Sequence, residues 1–113
     1  MKKIEAFIKN RMLNEVIEQL HTIDGLTGIS TFDIKGFGRA REKSGPVHIV
    51  DNSINWEPHV KLEIFCLDEM VETVIEIVQK SAHTGLRADG KIYVIPVEEA
   101  VRISTGERGN AAI

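Results

Sequence analysis

Apolar and polar residues alternate along residues 2–9, with Ile4, Ala6 and Ile8 on one side and Lys3, Glu5 and Lys9 on the other. A period of two marks a half-buried strand. The period then lengthens. Leu13, Val16, Ile17, Leu20 and Ile23 recur at helical spacing, while Glu15, Glu18 and Gln19 face outward. Asn10 is placed to cap this helix, without the acidic partner of a capping box, and Gly25 stands where a helix C-terminal glycine belongs. Residues 28–35 return to alternation as a second strand, with Ser30, Phe32 and Ile34 sharing a face.

After residue 58 the same two periods reappear. Val60, Leu62, Ile64 and Cys66 alternate with Lys61 and Glu63 as a third strand. Asp68 is a suitable N-cap for a second helix whose stripe is Met70, Val71, Val74, Ile75 and Val78, with Lys80 near the C-terminal end that favours a cation. A glycine-bearing loop, Thr84 to Gly90, leads into a fourth strand from Lys91 to Ile95, which Pro96 ends. Glu98 to Ile103 is expected to form a short helix, and the tail from Thr105 to be polar and mobile. The order β-α-β-β-α-β is the split βαβ, ferredoxin-like arrangement, an α+β fold. Two helices cover only one face of such a sheet. The other face carries Lys3, Glu5, Lys61 and Glu63 beside Phe7 and Phe65, and self-association with opposite charges paired is the expected use of it.

Between these halves, Phe37 to Pro58 follows neither period. So long an unpatterned stretch inside a small domain is functional or disordered. Its apolar residues Val47, Ile49, Val50, Ile54 and Trp56 make it a partner-contacting loop rather than a solvating one.

Composition narrows the classes. The 113 residues form one domain, with 42% hydrophobic and 27% charged residues in the range of a soluble globular protein. A net charge of −3 argues against a nucleic-acid binder. The single cysteine, Cys66, lies in an apolar run and excludes a disulfide framework within the chain. No apolar stretch approaches the roughly 18 residues of a membrane span, no signal-peptide pattern opens the chain, and a cytoplasmic location is expected.

Catalytic machinery is absent from the pattern. The histidines His21, His48, His59 and His83 lack metal-ligand spacing, and no serine or cysteine has a recognisable base. The adjacent Glu98 and Glu99 read as a solvated face. The more informative chemistry is cationic. Gly85 and Gly90 let backbone N–H groups approach an anion, Lys91 adds a mobile charge, and Arg102 supplies a planar fork suited to phosphate oxygens. A glycine turn entering a strand is more often only a turn, so these residues leave both readings open. The same holds for K-G-F-G-R at 35–39, where Arg39 could reach a phosphate.

Taken together and in order, several stretches resemble the PII signal-transduction proteins over nearly the whole length. They are K-K-I-E-A at the start, I-K-G-F-G-R at 34–39, V-K-L-E-I at 60–64, T-G-L-R-A-D-G-K-I-Y-V at 84–94, P-V-E-E-A-V-R-I at 96–103 and T-G-E-R-G at 105–109. The resemblance implies a single 1–113 domain with an exposed 37–58 loop, an 84–91 phosphate loop and a 97–113 C-terminal segment. It implies a non-enzymatic cytoplasmic homotrimer that binds ATP or ADP, with AMP as a rival, in clefts between subunits. By the same resemblance, phosphate would contact Arg39, Gly90, Lys91 and Arg102, with the backbone around Gly36, Gly38, Ala88 and Asp89. The base would lie near Phe7, Ser30, Gly36, Phe37, Glu63, Phe65 and Thr84. The 37–58 loop would dock on a transporter, of the ammonium type or another, or on a metabolic enzyme, in nitrogen regulation. No prosthetic group is implied.

This sequence departs from the family pattern at telling places. Asn52 aligns with the tyrosine that the family uridylylates. Ala40 replaces a glutamine that helps hold magnesium and 2-oxoglutarate, and a methyl group cannot ligate a hard cation. His59 replaces a lysine, Ser104 an arginine and Ala88 a glycine. Each lost charged contact to a phosphate is worth roughly 1.5–3 kcal/mol. The expectation is an altered but nucleotide-competent site without uridylylation and without tight magnesium-dependent 2-oxoglutarate binding. The alternatives are a divergent sensor of another metabolite tied to a carbon or metal transporter, and a small phosphatase on the same fold, of which Asn10 and Arg11 are only a faint echo. An RNA-binding sheet of this topology lacks its stacking aromatics.

Overall fold

The computed structural model describes residues 1–36 and 57–113. Strand β1 spans Lys2–Lys9, helix α1 Leu13–Leu20, β2 Ile29–Gly36, β3 Glu57–Cys66, α2 Val71–Ala82 and β4 Lys91–Pro96. The strands form one four-stranded sheet in the order β2-β3-β1-β4, with every neighbouring pair antiparallel. This is the ferredoxin-like order expected from the alternating periods, with β2 and β4 at the edges.

Pleat and helical stripe meet on one side of the sheet. From β1 come Ile4, Ala6 and Ile8, and from β3 Val60, Leu62, Ile64 and Cys66, all buried. Val16 and Leu20 of α1 and Val74, Val78 and Ala82 of α2 close the core from above. Both central strands therefore send alternate side chains under the helices, while edge strand β4 is less covered: Val94, the cross-strand neighbour of buried Ile4, is 39% exposed. Burial also pushes the Cys66 thiol above its ordinary pKa, in keeping with an inert core thiol.

The other sheet face is the mixed surface expected. Lys3 Nζ lies 3.0 Å from Glu5 and 3.7 Å from Glu63, and Lys61 Nζ lies 3.7 Å from Glu63. Lys61 also sits 4.7 Å above the Phe32 ring, its cross-strand partner. Hydrogen bonding to Lys3 holds the Glu5 carboxyl below its usual range.

Several local expectations are corrected. Neither Asn10 nor Asp68 caps a helix with its side chain. Each instead opens a 3-10 turn, Asn10–Met12 and Asp68–Met70, that carries the strand straight into the following helix. The Asp68 carboxylate accepts a 2.8 Å bond from the Met1 ammonium instead. Gly25 has φ +86° but lies beyond the helix end: α1 stops at Leu20, where the Thr22 hydroxyl donates to Gln19 O at 2.7 Å. Residues 98–103 form no helix. Val101 bridges to Arg108, the Glu99 carboxylate accepts from Gly109 N, and the tail folds back into a 3-10 turn at Gly109–Ala112. Glycines at 106 and 109, both at positive φ, let this hairpin close, which a polar composition alone did not reveal.

Candidate anion site at one end of the sheet

Strand directions place the chemistry. β1 ends at Lys9, β2 ends at Gly36, β3 begins at Glu57 and β4 begins at Lys91, all at one end of the sheet, because Gly36 pairs with Glu57, Lys9 with His59 and Phe7 with Lys91. The 84–90 loop arrives at this end from α2, and the chain leaves β2 for the 37–56 segment there. Local sequence rules thus bring the glycine loop, Lys91 and the roots of the long loop to one rim.

The loop is tied by a carboxylate. Asp89 Oδ2 accepts the backbone N–H of Thr84 at 2.9 Å and of Gly85 at 3.2 Å, and Oδ1 accepts the Thr84 hydroxyl. Lys9 Nζ lies 3.2 Å from Asp89 Oδ1 and donates to Thr84 Oγ1 at 3.2 Å. His83 Nδ1 lies 3.3 Å from Oδ2. Burial works to raise the Asp89 carboxyl, but the Thr84 hydroxyl and N–H, Lys9 and the Gly85 N–H outweigh it and hold the carboxyl far below the usual range. Ala88, at φ +59°, places its carbonyl 3.3 Å from His59 Nε2. Gly90, at φ +106°, runs so close to β1 that a Cβ there would sit 1.6 Å from Phe7 O. Glycine is required at that crossing.

Around the loop, Lys91 is exposed at the mouth of β4, and Phe7 packs edge-on to Tyr93 with centroids 5.8 Å apart. Lys9, Arg11 and Arg87 line a cleft with Asn10, Pro58 and Leu86, so the loop's flank is cationic although the chain is acidic overall. Rings and dipoles of this kind suit an anionic ligand with an aromatic body. Among the described residues no group of His, Cys, Asp or Glu side chains could hold a metal ion, and no helix is long and apolar enough to cross a membrane.

The structure places the sequence-predicted residues differently. Thr84, Ala88, Asp89, Gly90 and Lys91 come together with Phe7 at the rim. Ser30, Glu63 and Phe65 lie on the same open face, Ser30 paired with Glu63 across β2 and β3, and Phe65 with Lys3. Gly36 ends β2. Arg102 stands apart: β4 leaves the sheet at the opposite end, where Val97 N donates to Met1 O, and Arg102 bonds with Glu107, Gly106 and Ile113. Phe37, Gly38, Arg39 and Ala40, and the loop residues Val47, Ile49, Val50, Asn52, Ile54 and Trp56, lie outside the described residues. Sequence reasoning missed Lys9, which reads as one more polar position of β1 yet is 7% exposed. The only hint was that a threonine and an aspartate on the loop needed a cation.

A ferredoxin-like α+β domain with a cationic glycine loop at one sheet end is thus the class that the fold and rim define. Comparison with known proteins narrows it. The family model "Nitrogen regulatory protein P-II" matches residues 1–107, and the chain belongs to that family. It is 48% identical over 113 residues to the nitrogen regulatory protein P-II of Azospirillum brasilense and equally to that of Rhodospirillum rubrum, in both cases covering 100% of each chain. The protein of that name from Rhizobium meliloti is 45% identical over the same full length. The family is one of signalling regulators rather than enzymes.

Proposed function

We propose that this protein regulates nitrogen metabolism by binding adenine nucleotide in clefts between neighbouring copies of a homotrimer and presenting its 37–58 loop to a transporter or metabolic enzyme. The observation that carries the reading is the 84–90 loop, closed by Asp89, crossing Phe7 at Gly90 and delivering Lys91 to the rim. Phosphates would meet the loop backbone from Ala88 to Gly90, Lys91, Arg39 and Arg102. The base would rest near Phe7, Ser30, Gly36, Phe37, Glu63, Phe65 and Thr84. Within one chain Arg102 and Lys91 belong to different ends of β4, which is why the reading needs a second copy to complete the polyphosphate contacts. Opposite charges and half-exposed aromatics on the open sheet face supply a surface for that assembly.

Asn52 has no phenol to uridylylate, so the 37–58 loop is controlled by ligand alone. Ala40 has no amide oxygen for magnesium, so ATP and ADP bind without a tight magnesium-dependent 2-oxoglutarate partner. Calorimetric titration with ATP, ADP and AMP, each with and without magnesium and 2-oxoglutarate, tests the reading. Saturable binding of ATP or ADP, indifferent to 2-oxoglutarate, is expected. No heat with any nucleotide would refute the site, and tight magnesium-dependent 2-oxoglutarate binding would refute the account of Ala40.

A further inference from the structure

Lys9 is the one charged residue buried among the described residues. Its neighbours on the open face, Lys3, Glu5 and Phe7, are only partly buried. An ammonium taken out of water without partners costs several kcal/mol, so a buried lysine is retained where its partners repay that cost. Both partners of the Lys9 ammonium, Asp89 and Thr84, are on the 84–90 loop. The Asp89 oxygen it meets is the one that takes the Thr84 hydroxyl, and the other oxygen of the same carboxylate gathers the N–H groups of Thr84 and Gly85.

We infer that Lys9 is a positioning residue of the nucleotide site: from the end of β1 it holds the Asp89 carboxylate, and through it the loop backbone, in the shape that receives phosphate. The inference rests on the nucleotide reading above. Its physical content is a tether: Lys9 ties a loop whose other hydrogen bonds are largely internal to a strand of the core. Lys91 differs: it stands exposed at the rim and makes no tie to Asp89, so its loss should weaken phosphate binding without loosening the loop.

The test pairs two readouts on the full chain. ADP affinity is measured by calorimetry for the wild type, Lys9→Met, Lys9→Arg, Asp89→Asn and Lys91→Ala. Amide exchange at Thr84, Gly85 and Leu86 is measured without nucleotide, with Leu20 in α1 as the internal control. Lys9→Met and Asp89→Asn should each weaken ADP binding about tenfold, the equivalent of roughly one charge-assisted hydrogen bond. Both should speed exchange at Thr84 and Gly85 while leaving Leu20 protected. Lys9→Arg, which keeps the charge, should recover most of the affinity, and Lys91→Ala should weaken ADP without touching loop exchange. The inference is overturned if Lys9→Met or Asp89→Asn binds ADP within about twofold of wild type, or if loop exchange is unchanged in both. Should Lys9→Met fail to fold, Asp89→Asn breaks the same pair from the loop side and decides the matter. A wild type that ignores ADP removes the nucleotide reading, and the exchange arm alone then decides whether Lys9 holds the loop.

Discussion

Gly90→Ala isolates the geometry on which the site depends. The new Cβ would lie 1.6 Å from Phe7 O and 2.7 Å from Phe7 C, both backbone atoms of a central strand that cannot rotate aside. The native φ of +106° adds strain for any residue with a Cβ, about 1–3 kcal/mol. Relieving the overlap by backbone shifts adds about 1–3 kcal/mol more. The expected loss is therefore about 4 kcal/mol, spent where β1 and β4 pair at Phe7 and Lys91. Gly85→Ala is the control: φ is +77° with nothing within 4 Å of the added carbon, so only about 1–2 kcal/mol of left-handed strain applies. Urea unfolding of both variants gives the difference directly, provided the slopes agree. If the two variants lie within about 0.5 kcal/mol of each other, the close crossing at Gly90 is not a constraint, and the placement of Lys91 argued from it fails.

Ala88 occupies φ +59°, so Ala88→Gly should raise stability by about 0.5–1 kcal/mol, left-handed strain relieved less glycine's entropy, as read by urea midpoint. Leu62→Ala, at a fully buried position of β3, should cost about 3 kcal/mol in the same assay, and a loss below about 1 kcal/mol would contradict the core assignment. Because the Asp89 carboxyl is depressed in the folded protein, its contribution is fully present above the ordinary aspartate value near 3.9 and is withdrawn only as pH falls well below it. The Asp89 carboxyl-carbon resonance should therefore show no protonation of that carboxylate from neutral pH down to about pH 4, and protonation of Asp89 centred above that would refute the network. Cys66 is 1% exposed with its thiol pKa raised by burial, so a disulfide reagent should label the native protein slowly and the urea-unfolded protein at once.

Much of this was legible before any coordinates. Periods of two and 3.6 gave all six regular elements, since Ile4, Val16, Leu62 and Val74 are where the pleat and the helical stripe must bury, although α1 stops three residues short of Ile23 and β3 starts three residues before Val60. Topology followed from element order. What stayed hidden depended on contacts between distant residues. Asp68 reads as a cap by local preference, but the Met1 ammonium, far away in sequence, takes its carboxylate. The 98–103 stretch has helical composition, yet the Val101–Arg108 bridge and Gly109 N on Glu99 set a hairpin. At the rim, Gly85, Gly90 and Lys91 could be named from the chemistry of the loop, and Thr84 and Asp89 from the family resemblance. Lys9 could not, because alternation assigned it to the polar side and only the folded loop buries it. Arg102 was grouped with Lys91 by chemistry, and the fold separates them within one chain.

The most direct test of the central claim is native mass spectrometry of the purified protein as ADP is titrated in. The account predicts a species of three times the chain mass that takes up nucleotide to a limit of one per subunit. A species of single-chain mass that gains no nucleotide at any ADP concentration would contradict it.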